Sequence, residues 1–182
     1  KKAIEKKLNT ASLKNFKREP TLNKDGVIKD ALNTGELILT QISKEPISTK
    51  GPRLTTEISI AGRYMILIPF SDKISISQKI ENPKEQKRLK QLIKSIKPHG
   101  FGVIIRTFAE GKKVAELDKD LKNLYKKWQL ISKKLKDAKP NTRIHGELNK
   151  ASVILRDLLS EQFNRIYVNN TDLQLELQEY LS

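Results

Sequence analysis

Cysteine is missing from all 182 residues, which excludes disulfides, cysteine-ligated zinc and a thiol nucleophile. That absence fits a reducing compartment such as the cytoplasm. No run of eighteen apolar residues occurs, so no segment reads as a transmembrane helix. The first residues are charged and lack the apolar core of a secretory signal. Aromatic residues make up 5%, too few for single-strand binding dominated by base stacking. Histidine is nearly absent: His99 falls in a helix-stop turn and His145 near an extended piece, and both read as structural or solvated. Met65 is the only methionine, and the chain is expected to be an excised piece of a larger protein.

What the chain has in excess is positive charge. Thirty-six Lys+Arg against 21 Asp+Glu give +15, more than solubility requires. That sign suits a polyanionic partner, either nucleic acid or an anionic membrane surface.

Residues 1–35 are lysine-rich and weakly periodic, with Ala3, Ile4 and Leu8 as a short apolar face and turns at 24–26 and 33–35. Strands are expected over 36–43, over the alternating run Leu54–Ile60, over Tyr64–Pro69, and around Ile74 and Ile76. Together they resemble the closing part of a small barrel running into a second sheet. A helix follows, with Asn82 as cap, Pro83 at the first position and a stripe of Leu89, Leu92, Ile93 and Ile96. Val103, Ile104 and Ile105 then read as a strand buried on both faces, which delivers Arg106 and Thr107 at its carboxyl end.

The longest element carries Val114, Leu117, Leu121, Leu124, Trp128, Ile131 and Leu135 in alternating steps of three and four. This seam runs about 33 Å at 1.5 Å per residue. It serves either a dimerising coiled coil or a helix lying along the domain's own core, and the core is favoured. Further on, Thr142–His145 reads as extended. A helix should turn Ala151, Ile154, Leu155, Leu158 and Leu159 inward, Arg165–Val168 reads as a strand, and a last helix starts at Asn170 or Thr171.

Catalytic constellations are scarce. Asp118 and Asp120 are two apart on a helix and make a poor metal pair. Asp157 and Glu161 read as solvated surface, and Gly111-Lys112 lacks the rest of a phosphate-binding loop motif. Nucleic-acid features are stronger. Lys44, Lys50, Arg53, Arg63, Lys73 and Lys79 lie on the strands and turns, where cations track a phosphate backbone. Arg106 and Thr107, a guanidinium fork and a hydroxyl near a helix start, suit a phosphate grip.

Lys50-Gly-Pro-Arg-Leu-Thr-Thr-Glu-Ile-Ser-Ile-Ala-Gly-Arg-Tyr64, Ile76-Ser-Gln-Lys-Ile80 and Phe101-Gly-Val-Ile-Ile-Arg-Thr107 occur in this order. They resemble the signature of bacterial ribonuclease E/G endoribonucleases, and Lys44–Arg53 is similar to Bacteroidetes-type members. The likeness covers roughly residues 36–182. It implies an α+β chain: a partial OB-fold barrel over 1–62, an α/β 5′-sensor domain over 63–140, and the start of a ribonuclease-H-like subdomain over 141–182.

The resemblance also implies a site for the 5′-monophosphate of single-stranded RNA at Gly62, Ile66, Arg106 and Thr107. Lys50, Arg53 and Lys79 would contact the RNA backbone. Gln78 stands where many members have arginine. No catalytic or metal-binding residue is expected here, because the magnesium-binding aspartates and zinc-linking cysteines lie later in the family. Mg2+, and in some forms Zn2+, is implied for the full-length enzyme only. The fragment should bind RNA without cutting it, and a homo-oligomer of the full enzyme is compatible with the pattern. A non-catalytic RNA-binding module indifferent to the 5′ end is the alternative, and a scaffold built on the 114–135 seam is a third reading.

Overall fold

The computed structural model describes residue 13 and residues 25–146, 150–159 and 162–181. The chain divides into two compact units between Ile144 and His145. The expected face of Ala3, Ile4 and Leu8 lies outside the described residues, as do Lys24 and Glu161.

Among the described residues the first unit holds a single helical turn, α1 (Ile28–Ala31), then a hairpin of β1 (Gln41–Lys44) and β2 (Arg53–Thr55). The strand expected over 36–43 is thus shorter and later. Leu37 and Ile38 are half exposed and pair with no strand among the described residues. The alternating run 54–60 also splits, into β2 and β3 (Ile60–Ala61). Between them the Gln41 side chain stands in for a neighbouring strand: its Oε1 accepts from Ser59 N at 2.8 Å and its Nε2 donates to Ser59 O at 3.2 Å.

A four-stranded sheet follows in the order β3-β4-β6-β5, where β4 is Met65–Pro69, β5 is Ile74–Ile76 and β6 is Phe101–Ile105. β4 runs antiparallel to β3 and β6, while β5 and β6 are parallel. A parallel pair needs a crossover, which α2 (Pro83–Ile96) supplies. Its start is as the sequence indicates: Asn82 Oδ1 accepts from Lys84 N at 3.0 Å and Glu85 N at 3.4 Å, with Pro83 at the first position.

Period-two alternation gives the sheet one dry face. Met65, Leu67, Phe101, Val103 and Ile105 are fully buried in one cluster with Leu89 and Ile93 of α2. Leu117, Leu121, Leu124, Trp128 and Ile131 of α3 (Val114–Lys136) complete that cluster. Each buried leucine or isoleucine contributes about 1.5–3 kcal/mol by leaving water. Edge-to-face contacts of Phe101 with Tyr125 and Trp128, at 5.5 and 6.1 Å between centroids, fix the far end. The 114–135 seam therefore packs on its own sheet, except that Val114 is exposed.

β6 is not buried on both faces. Ile104, like Ile66 and Ile68 of β4, is only half buried, because both helices contribute to the cluster on the opposite side. No helix among the described residues is long and apolar enough to cross a membrane.

The second unit holds α4 (Lys150–Leu158) and α5 (Thr171–Leu181). Asn170 caps α5, its Oδ1 accepting from Leu173 N at 2.9 Å. Leu155 is buried as expected, and so is Leu177, but Ile154 and Leu158 are more than half exposed, so the expected inward face holds only in part. Ser152 and Arg156 face in beside Leu155, and Arg156 Nε donates to Asp157 Oδ1 at 2.9 Å. Residues 165–168 form no strand, and Tyr167 is 84% exposed. The chain is a mixed α+β protein with open sheets.

Candidate functional site

Parallel β5 and β6 end side by side, and the carboxyl ends of parallel strands are where open sheets place ligand sites. Beyond these ends lie Ser77–Lys79 on one side and Arg106–Thr107 on the other. The start of antiparallel β4 reaches the same edge. Its hairpin with β3 turns through Arg63-Tyr64 and is closed by Gly62 N donating to Met65 O at 2.8 Å. The ladder continues past the strands, with Arg106 N donating to Tyr64 O at 2.9 Å and Ser77 N to Ile105 O at 2.9 Å. Three loops are thus tied together by backbone bonds.

Side chains and backbone groups of these loops form the candidate site. Arg106 Nη1 donates to the Gly62 carbonyl at 2.7 Å, which aims the guanidinium fork from the hairpin. Thr107 opens a short 3-10 turn (Thr107–Ala109), with its Oγ1 3.1 Å from Ser77 Oγ. Alternation along β4 and β6 puts Ile66, Ile104 and Arg106 on the half-exposed face. Lys79 is exposed two residues beyond Ser77, and its N–H donates to Ser77 Oγ at 3.4 Å.

Gly62, Ile66, Arg106, Thr107 and Lys79 therefore converge on one sheet and its loops. Lys50 and Arg53 do not: both are exposed on the separate β1–β2 hairpin. An open groove at the opposite end of α3 is lined by Lys134, Asp137, Lys139, Thr142 and Arg143, and none of the expected site residues borders it.

Glycine at 62 is dictated from inside the protein. A β-carbon there would sit 2.7 Å from Asp120 Oδ2 and 2.9 Å from Leu124 Cδ1. The side toward which a side chain at 62 would point is thus filled by α3. The sequence reading weighed Asp120 only as half of a poor metal pair with Asp118. In the structure its carboxylate accepts from Tyr64 N at 3.0 Å and Arg63 N at 3.4 Å. Burial raises its pKa, and the amides of Tyr64, Arg63 and Met65 oppose that rise. A signal was available, because Asp120 falls three residues after Leu117 and four before Leu124, on the flank of the buried seam.

Two other residues were missed. Ser77 carried no signal beyond its place after a strand. Glu85 of α2 makes a bidentate pair with Arg88, at 2.6 Å for each bond, and its Oε1 also accepts from Gly111 N at 2.9 Å. Arg88 Nη2 reaches Lys112 O at 3.2 Å. These bonds hold the Glu85 carboxyl well below its usual value, at about 2, with Arg88 the largest cause. Gly111, at φ 71°, and Lys112 are thus held by α2, which gives their loop-like pairing a structural role. At the margin, Glu116 Oε1 accepts from Tyr64 Oη at 3.4 Å and pairs with Lys112 Nζ at 3.5 Å. Arg63 and Lys112 each lie 5.8 Å from the Tyr64 ring centre.

This arrangement can bind an anion through a fixed guanidinium and an oriented hydroxyl. It offers no nucleophile–base pair, and no group of three His, Cys, Asp or Glu side chains able to hold a metal occurs among the described residues.

The chain is 34% identical to ribonuclease E of Nostoc sp. over 154 residues, covering 85% of this chain and 22% of that protein. It is 36% identical to ribonuclease E of Synechocystis sp. over 144 residues, 79% of this chain and 21% of the relative. With ribonuclease G of Escherichia coli the identity is 34% over 155 residues, 85% of this chain and 32% of the relative. The chain thus spans between about a fifth and a third of the length of these relatives. The ribonuclease E/G family model matches residues 59–182, which include the β3–β4 hairpin, the β5 and β6 ends and the second unit, and the chain belongs to that family.

Proposed function

We propose that this chain is the RNA-end-binding part of a ribonuclease E/G-type endoribonuclease that acts in cytoplasmic RNA processing and decay. Arg106 holds the 5′-monophosphate of single-stranded RNA through charge-assisted bonds, and Thr107 donates from its hydroxyl. Ile66 forms an apolar wall beside them. The observation that carries this reading is the 2.7 Å bond from Arg106 to the Gly62 carbonyl, with Thr107 next in the chain and supported by Ser77. A guanidinium already fixed in direction loses less freedom on binding a phosphate.

In this reading residues 1–62 are the later part of an OB-fold, 63–140 the 5′-sensor domain and 141–182 the opening of a ribonuclease-H-like subdomain. The relatives are named ribonucleases, and RNA cleavage belongs to the whole enzyme. Magnesium or zinc would in this reading be held by other parts of the whole enzyme, since no suitable donor cluster occurs among the described residues.

Fluorescence titration of the full 182-residue chain with 5′-monophosphate, 5′-hydroxyl and 5′-triphosphate oligoribonucleotides tests the proposal. The monophosphate should bind tightest. Losing one charged contact costs about 1.5–3 kcal/mol, so Arg106→Gln should erase roughly tenfold of that preference. Equal affinities in both proteins, with a steep salt dependence, would instead favour a binding module indifferent to the 5′ end.

A further inference from the structure

We infer that Asp120 is a positioning residue of the 5′-end site. Its carboxylate holds the Gly62–Met65 hairpin in the one geometry that lets the Gly62 carbonyl aim Arg106. This inference rests on reading Arg106 as the phosphate ligand.

The path is short and continuous. Asp120 accepts the N–H groups of Arg63 and Tyr64, the two residues of the hairpin loop. Those residues follow directly on Gly62, whose carbonyl takes Arg106 Nη1 at 2.7 Å. Asp120 also occupies the space a side chain at 62 would need, so carboxylate and glycine fit as a pair. The same loop meets Arg106 a second time, through Arg106 N and Tyr64 O at 2.9 Å. A displaced loop would move both anchors of Arg106 together.

The choice of a carboxylate is informative. Ionised, it only accepts, so every lone pair is available to the loop amides. Asparagine has the same shape but presents an NH2 group, setting a donor against donors. Holding a charge in this buried place is costly, and burial raises the Asp120 pKa for that reason. Asp120→Asn removes the charge at constant volume and is expected to fold.

The test is a double-mutant cycle on the full 182-residue chain, titrated with 5′-monophosphate and 5′-hydroxyl oligoribonucleotides. Asp120→Asn should lose roughly fivefold or more of the monophosphate preference while leaving 5′-hydroxyl affinity within about twofold. In an Arg106→Gln background, Asp120→Asn should change the preference no further, because one path is already cut. Full preference retained in Asp120→Asn, additive effects in the cycle, or a parallel fall of both affinities would each overturn the inference.

A nitrogen-15 spectrum of the Arg106 guanidinium provides an independent readout without RNA. Its two Nη signals should be resolved in the parent chain and merged by exchange in Asp120→Asn. If the parent chain shows no 5′ preference, the end-sensing reading fails. The spectrum then still decides whether Asp120 fixes Arg106, and unchanged Nη signals would overturn that as well.

Discussion

Ser77 Oγ lies 3.1 Å from Thr107 Oγ1 across the ends of two parallel strands, and the same Ser77 oxygen accepts from the backbone N–H of Lys79 at 3.4 Å. An oxygen that already accepts is best used as a donor to its other neighbour. Either hydroxyl can be the donor of this bond; with Ser77 donating, the Thr107 hydrogen is left for the anion of the proposed site. A neutral hydroxyl pair thereby gains a direction that neither residue has alone.

Ser77→Ala should therefore weaken binding of 5′-monophosphate RNA by about 0.5–1.5 kcal/mol, a factor of roughly 2 to 13. Binding of 5′-hydroxyl RNA should not change. Anisotropy titrations with the two oligonucleotides read the difference directly, and equal losses for both would rule out the hydroxyl relay.

Gly62→Ala would drive a methyl against Asp120 and Leu124 at 2.7 and 2.9 Å. Overpacking of this kind costs about 1–3 kcal/mol. Urea unfolding should show a lower midpoint at unchanged slope, together with a reduced 5′-monophosphate preference. A fully stable variant would contradict the close approach.

The Glu85 clamp sets a pH dependence. Its folded pKa, about 2, lies below the ordinary 4.5, so its stabilisation is complete above 4.5 and is lost as pH falls toward 2. The Glu85 side chain is 15% exposed, whereas its partner Arg88 is 41% exposed, so screening keeps the contribution to about 1–2 kcal/mol. Glu85→Gln should lower stability at pH 7 by that amount and match the parent chain near pH 2. Denaturant melts at pH 7, 4.5 and 2.5 check the convergence. A gap that persists at low pH would assign the loss to packing.

Cations on the separate hairpin should act differently from the end site. Lys50→Ala and Arg53→Ala should each weaken 5′-monophosphate and 5′-hydroxyl RNA equally and lower the salt slope by about 0.7, the single-strand value per phosphate contact. Binding titrated across several salt concentrations measures that slope. An unchanged slope would remove the hairpin from the RNA path.

Leu121→Lys separates the two roles weighed for the 114–135 seam. Leu121 is 3% exposed on the sheet, so a buried charge there should cost about 3–5 kcal/mol and unfold the first unit. Circular dichroism should show that loss at every protein concentration. A folded monomer produced from a dimer would restore the coiled-coil reading.

The parts of the fold legible in the sequence are those set by local rules. Asn82-Pro83 states its own cap, and the seam from Leu117 to Ile131 states its buried face. Arg106 and Thr107 were readable because both follow directly on an apolar strand. For Asp120 only its place on the flank of the seam was readable; its partners at 63 and 64, 57 and 56 residues away, were not. Glu85 likewise meets Gly111 across 26 residues. The apolar runs at 37–39 and 165–168 misled because composition favours strands there, while pairing partners decide whether strands form. Ile154 and Leu158 misled for a similar reason, since apolar spacing on a short helix does not say which flank meets a neighbour.

The pairing of Met65 with Ile105 gives the core a hold over recognition. Slipping β4 against β6 by one residue would turn Arg106 toward the apolar layer and carry the Gly62 carbonyl away from it. Such a slip would also strand Val103 and Ile105 of the same strand on the wet side. Misassembled molecules are thus removed by instability, and the packed leucines and isoleucines decide whether Arg106 and the Gly62 carbonyl share one edge.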